Sequence, residues 1–261
     1  MIYDTHCHPN LAKNKNKIEI INNFLEENPE GFLNIIWTDL EKSLDVVELA
    51  KTSNRTYASI WIHPCDVYWL DLEKTINLLE KLYLKNKEKI VAIWECGLDY
   101  YWDKDKKDEQ KRFFEAQIEL AKKYNLSVII HNRESKDDIF EILIKTNFKN
   151  FIFHCYSENL NYAEKILKFA PDCKISFSWI ITFKNAKDIQ ETAQNIPLKN
   201  ILVETDSPYL TPTPLRWKEE NEPAFTKYIL EKIIELRDEN SEEIKKTIFK
   251  NSLEIFGINL Q

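Results

Sequence analysis

Glycine is nearly missing from this chain. Three of 261 positions carry it, where average usage gives roughly 18. No glycine-rich phosphate loop follows the first apolar run, which weakens a doubly wound, dinucleotide-binding sheet as the alternative fold. The five cysteines are odd in number and include no CxxC pair. That argues against a disulfide framework and against a structural zinc knuckle. No apolar stretch reaches the ~20 residues of a membrane span. The opening "MIYDTHCHPN" lacks a basic segment followed by an apolar signal core. These absences predict a cytoplasmic protein with no membrane partner, and nothing indicates an obligate protein partner. Positive charge is also short: the net charge of -7 offers no global attraction to nucleic acid. A non-enzymatic DNA-binding module is thereby disfavoured. A phosphate-processing enzyme is not, because bound divalent cations supply positive charge locally.

What is present is a repeated alternation. Eight short β-branched or aromatic runs occur: "MIYDTH", "FLNIIW" (32–37), "TYASIWIH" (56–63), "IVAIWE" (90–95), "LSVIIH" (126–131), "FIFHC" (151–155), "KISFS" (174–178) and "NILVETD" (200–206). Between them lie amphipathic stretches. In 104–124, Phe113, Phe114, Ile118 and Ala121 recur at helical spacing. Segments 135–148 and 158–170 behave similarly, and 224–237 and 241–256 follow a proline-rich loop at 208–223. Strand and helix alternating eight times predict a parallel (β/α)8 TIM barrel, read as a single domain over 1–261.

The polar residues then fall into place. Each of the five histidines stands at or just after a strand end: His6, His8, His63, His131 and His154. Glu95 ends the fourth strand and Asp206 follows the eighth. Barrel enzymes build their sites at the C-terminal ends of their strands, so these seven side chains are expected on one face. In "HCH", residues two apart share a face; His6 and His8 can bind one cation while Cys7 points away. The same alternation predicts that Cys96 and Cys155 are packing residues, and Cys65 and Cys173 have no suggestive partner. Imidazoles with carboxylates suit Zn or Mn, and carboxylates with water suit Mg. Six ligands (His6, His8, Glu95, His131, His154, Asp206) are too many for one catalytic ion with open positions. They suit two divalent ions bridged by a carboxylate, which can clamp the oxygens of a phosphoryl displacement.

Motifs along the whole chain resemble the TatD family of metal-dependent hydrolases, within the amidohydrolase-like barrels. They are "DTHCH", "IHP" (62–64), "ECGLDYY" (95–101), "VIIHNRES" (128–135), "FHCYS" (153–157), "ETDSPYLTP" (204–212), "LRWKEENEP" (215–223) and "KNSLEIFGI" (250–258). The resemblance implies a two-metal phosphodiesterase, a deoxyribonuclease with 3′-to-5′ exonuclease action. By motif, His6, His8, Glu95 and Asp206 would hold one cation. Glu95, His131 and His154 would hold the other, with Glu95 bridging. Asp206 would orient or deprotonate the attacking water. DNA, or RNA, would be the partner as substrate. Deacylation of an aminoacyl-tRNA on the same metals is the alternative enzyme reading, and a catalytically silent binding protein the third. For substrate contact the candidates are His63, Arg133, Arg216 and Tyr100, with Tyr101 a second aromatic near the site. His63 has a structural role with Pro64 as its alternative, and the arginines have ion pairs. Glu204 is expected beneath the site, and Asn221 and Glu222 in organising the loop.

The departures from the family pattern share a theme. Trp37, Trp61, Trp94, Trp179 and Trp217 stand where relatives usually have glycine, and they account for five of the seven tryptophans. Real tryptophans there would overpack a tight pocket, at about 1–3 kcal/mol each. The alternative is that UGA codons read as tryptophan are glycine codons in this lineage, and we favour it. UGG at those five codons would sink the idea.

Overall fold

The computed structural model describes residues 1–36, 40–60 and 62–259; the side chains of 40–43 and 94 lie outside the description. Trp37 and Trp61 therefore fall outside it, and of Trp94 only the backbone falls inside. Eight parallel strands form one sheet in sequence order: β1 (Tyr3–Cys7), β2 (Phe32–Ile36), β3 (Thr56–Ile60), β4 (Ile90–Asp99), β5 (Ser127–Arg133), β6 (Phe151–Phe153), β7 (Lys174–Phe177) and β8 (Ile201–Val203). A bridge between Cys7 and Ser207 brings the last segment beside the first, so the sheet is nearly closed into a (β/α)8 barrel. Nine α-helices accompany the strands among the described residues: α1 (Lys17–Glu27), α2 (Leu40–Ala50), α3 (Leu72–Lys85), α4 (Lys107–Tyr124), α5 (Lys136–Thr146), α6 (Leu160–Phe169), α7 (Lys187–Asn195), α8 (Thr226–Leu236) and α9 (Ser241–Ile255).

The helical faces follow the apolar spacing. In α4, Phe113, Phe114, Ile118 and Ala121 are buried against the sheet. A Phe114→Ala change there would cost about 3–5 kcal/mol. Asparagine replaces glycine at two helix ends: Asn125 after α4 and Asn147 after α5 adopt left-handed backbone, at φ 54° and 47°. That substitution suits a chain short of glycine. The opposite end of the barrel is plugged by α9, whose Phe249, with Phe256 just beyond it, packs with Tyr3 and Phe32 from the first strands. The functional face is thus left to the strand C-termini.

Two strands depart from the regular alternation, and both carry site residues. β4 runs four residues beyond Glu95, because Cys96 to Asp99 continue pairing with Ile130 to Arg133 of β5 after a register shift between Ile93 and Cys96. Glycine is indispensable at Gly97, where a Cβ would lie 2.1 Å from the His131 carbonyl oxygen. β6 and β8 are shorter than their apolar runs. The chain leaves the sheet before His154 and before Asp206, and those residues sit on irregular backbone.

Candidate metal centre

Glu95, Cys155 and Asp206 all have left-handed backbone, at φ 45°, 44° and 55°. Such conformations cost non-glycine residues about 1–3 kcal/mol each and persist where the surroundings enforce them. At Asp206 the enforcement is visible: its N–H donates to the His6 carbonyl (2.9 Å). Just upstream, the Asp4 carboxylate accepts from Thr205 N (2.9 Å), Thr205 Oγ1 (2.5 Å) and His6 N (3.2 Å), tying β1 to the segment after β8. Burial pushes Asp4 up to about 8, against the pull of these donors.

The side chains converge in two groups. In the first, His6 Nε2 lies 3.2 Å and His8 Nε2 3.6 Å from Asp206 Oδ1, with 2.8 Å between the two nitrogens. In the second, His131 Nδ1 (3.2 Å) and His154 Nε2 (3.6 Å) approach the same oxygen of Glu95, Oε1. The groups meet where His6 Nδ1 and His154 Nδ1 stand 2.5 Å apart. The side chains of His6 and His8 are almost wholly buried, whereas Asp206 is 17% and Glu95 11% exposed, so the carboxylates are the groups that can meet water. They open into a pocket of about 470 Å³ also lined by Arg133, Trp179, Tyr209 and Leu210.

Three of the histidines present one nitrogen inward and anchor the other. His8 Nδ1 donates to the Ile36 carbonyl (3.0 Å), His131 Nε2 pairs with Asp99 Oδ2 (3.1 Å), and His154 Nδ1 pairs with Glu204 Oε1 (2.7 Å). An acceptor behind the ring fixes its orientation and aims the other nitrogen at the centre, as metal-binding histidines require. His6 is held well below its ordinary pKa by burial and then by His154, His8 and His131, so its imidazole is neutral. Buried imidazoles converging with two carboxylates fit divalent cations. His6, His8 and Asp206 have their donor atoms within 4.8 Å of one another, as do His63, Glu95 and His131.

His63 is built the other way round. Its Nδ1 accepts the Cys65 N–H (3.0 Å) at the start of a 3-10 turn, Pro64–Trp69. Burial lowers His63 to about 4, so the ring is neutral and Nε2 carries the hydrogen. His63 is therefore a donor in the group it shares with Glu95 and His131.

The remaining candidates divide. Arg133 lines the pocket. Arg216 does not reach it as expected: its guanidinium lies 3.8 Å over Phe183, where aromatic stacking holds it. Tyr100 is a correction. Its ring is buried in the core behind the sheet and its hydroxyl donates to Asp138 (2.5 Å), so it does not line the pocket of Glu95 and Asp206. Strand pairing continues through Asp99, which turns Tyr100 outward. Cys155 is another. Its left-handed backbone breaks the alternation, and the thiol lines the pocket 3.0 Å from Ser178 Oγ. Cys65, which looked solitary, shares a group with His63 and Asp99. Asp99 was missed in the sequence although it stands inside "ECGLDYY"; its spacing of four from Glu95 gives no strand parity with it once the bulge intervenes. Asn221 organises the loop, donating to the Thr205 (2.9 Å) and Tyr209 (2.6 Å) carbonyls. Glu222 pairs with Lys15.

Two of the five tryptophans, Trp179 and Trp217, have described side chains. Trp217 has φ 68° and is 83% exposed, the backbone state that favours glycine. Trp179 opens a 3-10 turn and its indole packs 5.3 Å from Phe183; no left-handed backbone calls for glycine there.

Comparison with known proteins agrees with this geometry. Residues 3–257 match the family described as TatD related DNase. The chain belongs to the TatD family. It is 37% identical to YabD of Bacillus subtilis, described as an uncharacterized metal-dependent hydrolase, over 99% of this chain and 100% of that one. A Mycoplasma genitalium protein of the same description is 36% identical over 97% of this chain and 98% of its own. Among solved structures, the TatD homologue YJJV of Escherichia coli superposes with a TM-score of 0.90 at 25% identity, covering 99% of this chain and 98% of that one. The protein is a TatD-family metal-dependent hydrolase.

Proposed function

We propose that this hydrolase is a two-cation phosphodiesterase that removes nucleotides from DNA ends, in the 3′-to-5′ direction. The observation that carries the reading is the pairing of two histidine groups around two partly exposed carboxylates in one pocket. His6, His8 and Asp206 would hold one cation; His131, His154 and Glu95 would hold the other, with Glu95 shared between them. When bound, the cations lower the cost of ionising water and offset charge developing on phosphoryl oxygens. Asp206 orients that water and takes its proton. His63 donates a hydrogen bond from Nε2 to a phosphoryl oxygen, and Arg133 pairs with a second one from the pocket wall.

The test is digestion of end-labelled DNA beside hydrolysis of an aminoacyl-tRNA ester, each with and without added divalent metal. The proposal expects metal-dependent DNA shortening that Glu95→Gln and Asp206→Asn abolish. Ester hydrolysis without DNA cleavage would replace it with the deacylase reading.

A further inference from the structure

Two large aromatics stand exposed just after β4, against Arg133 of the pocket wall. Tyr101 is 48% and Trp102 68% exposed, and their rings meet edge to face at 4.9 Å. Exposed rings on a surface segment are ordinarily free to move. These are not. One oxygen of Asp99, Oδ1, accepts the backbone N–H of both Tyr101 (3.0 Å) and Trp102 (2.9 Å). Gln110 clamps the same turn, accepting from Asp99 N (2.8 Å) and donating to the carbonyls of Asp99 and Asp103. The other oxygen of Asp99 faces His131. A single carboxylate thus fixes both a metal-group histidine and the turn that carries the two rings.

Arg133 joins the turn to the pocket. Its guanidinium lies 4.2 Å over the Tyr101 ring and 5.5 Å from that of Trp102, and the same residue lines the pocket with Glu95 and His131. The outer surface of this stack is the indole of Trp102. Charge does not explain the arrangement. Lys104, Lys106 and Lys107 follow, but Asp103, Asp105 and Asp108 alternate with them, so the segment has little net attraction for a polyanion. An acidic protein with such a segment needs another source of affinity. Stacking on flat, fixed rings supplies it, because every base has a π-face.

We propose that Tyr101, Trp102 and Arg133 form a subsite for one unpaired nucleobase, close to the nucleotide whose phosphate enters the pocket. Trp102 takes the base face, Tyr101 backs the indole, and Arg133 bridges the base and the phosphate. This subsite rests on the nuclease reading for its position in catalysis, but its ligand is defined by stacking and is tested by binding alone.

The experiment uses the full chain carrying Asp206→Asn and a fluorescently labelled single-stranded oligonucleotide, with one abasic residue walked along the strand. Trp102→Ala is expected to weaken binding about tenfold, and Trp102→Phe to restore most of it. An abasic residue at one position should weaken binding by a similar factor, and combining it with Trp102→Ala should add nothing. Losses that multiply at every position, or no loss from Trp102→Ala, would overturn the subsite. A wild-type protein that binds with this pattern yet cleaves no DNA would instead refute the nuclease reading and leave the subsite standing.

Discussion

In the β1–β8 half of the centre, His6 is neutral before any cation arrives, because burial and three neighbouring imidazoles hold its proton off. In the β4–β5 half, His131 is protonated. Burial lowers its affinity for the proton, but the hydrogen bonds to Asp99 and Glu95 outweigh it and raise the group to about 9. One half is lined by histidines that crowd each other, the other by a histidine between two carboxylates. The residue types are nearly the same; the number of carboxylates per imidazole sets the difference. A cation entering the second half must displace a proton, and one meeting His6 need not.

The largest effect should come from the residues that define the halves. Asp206→Asn strikes the first and Glu95→Gln the second, and each should lower turnover by on the order of 10³-fold. Equal residual activity in either variant and wild type would remove that residue from the chemistry. Next are the carboxylates behind the rings. Asp99→Ala and Glu204→Ala should each weaken metal binding or activity by about 10–100-fold. Their effects separate by pH. Without Asp99 the proton on His131 is held less tightly, by Glu95 alone, so the Asp99→Ala protein should show the pH dependence described next shifted to lower pH.

The two halves should differ in pH dependence. Binding at the second half should strengthen about tenfold per pH unit as pH rises from about 7 to 9, since the cation competes with the His131 proton. Calorimetry in buffers of different ionisation enthalpy should show proton release there and none from His6. The metal-free protein carries the opposite sign. The folded pKa of His131 lies above the unfolded value of about 6.5. The stability it contributes is therefore full below that pH and is lost as pH rises through about 9.

Much of this was legible in the chain. Apolar alternation marks eight strands, and the position of each histidine at a strand end marks the face. What the strand period cannot express is irregular backbone. The shift at Ile93–Cys96 and the left-handed Cys155 both break the two-residue alternation, which is why Asp99 was missed and Cys155 was read as a packing residue. Tyr100 follows from the same cause: pairing extended to Asp99 sends its ring into the core. Glu204 was placed by parity with Asp206; both lie past the end of β8, yet Glu204 does stand behind His154. No periodicity reveals a tautomer, so the donor role of His63 needed the Cys65 N–H in view.

The smallest expected effect concerns the tryptophans. Trp217→Gly should stabilise the protein by about 1 kcal/mol, because left-handed backbone costs a side chain about that much. A rise in Tm of roughly 2–4 °C would register it. Trp179→Gly should lower stability by removing the ring packed on Phe183. A UGA codon at 217 would make the first change a restoration; UGG there would mean the strain is native.

The proposed nuclease needs two cations, one per half, to cleave DNA. The direct measurement titrates manganese into metal-stripped protein while following both bound metal and shortening of an end-labelled strand at pH 8. Cleavage should stay near background through the first equivalent and rise with the second. Full cleavage in the metal-free protein, or at one equivalent with no further gain, would contradict it.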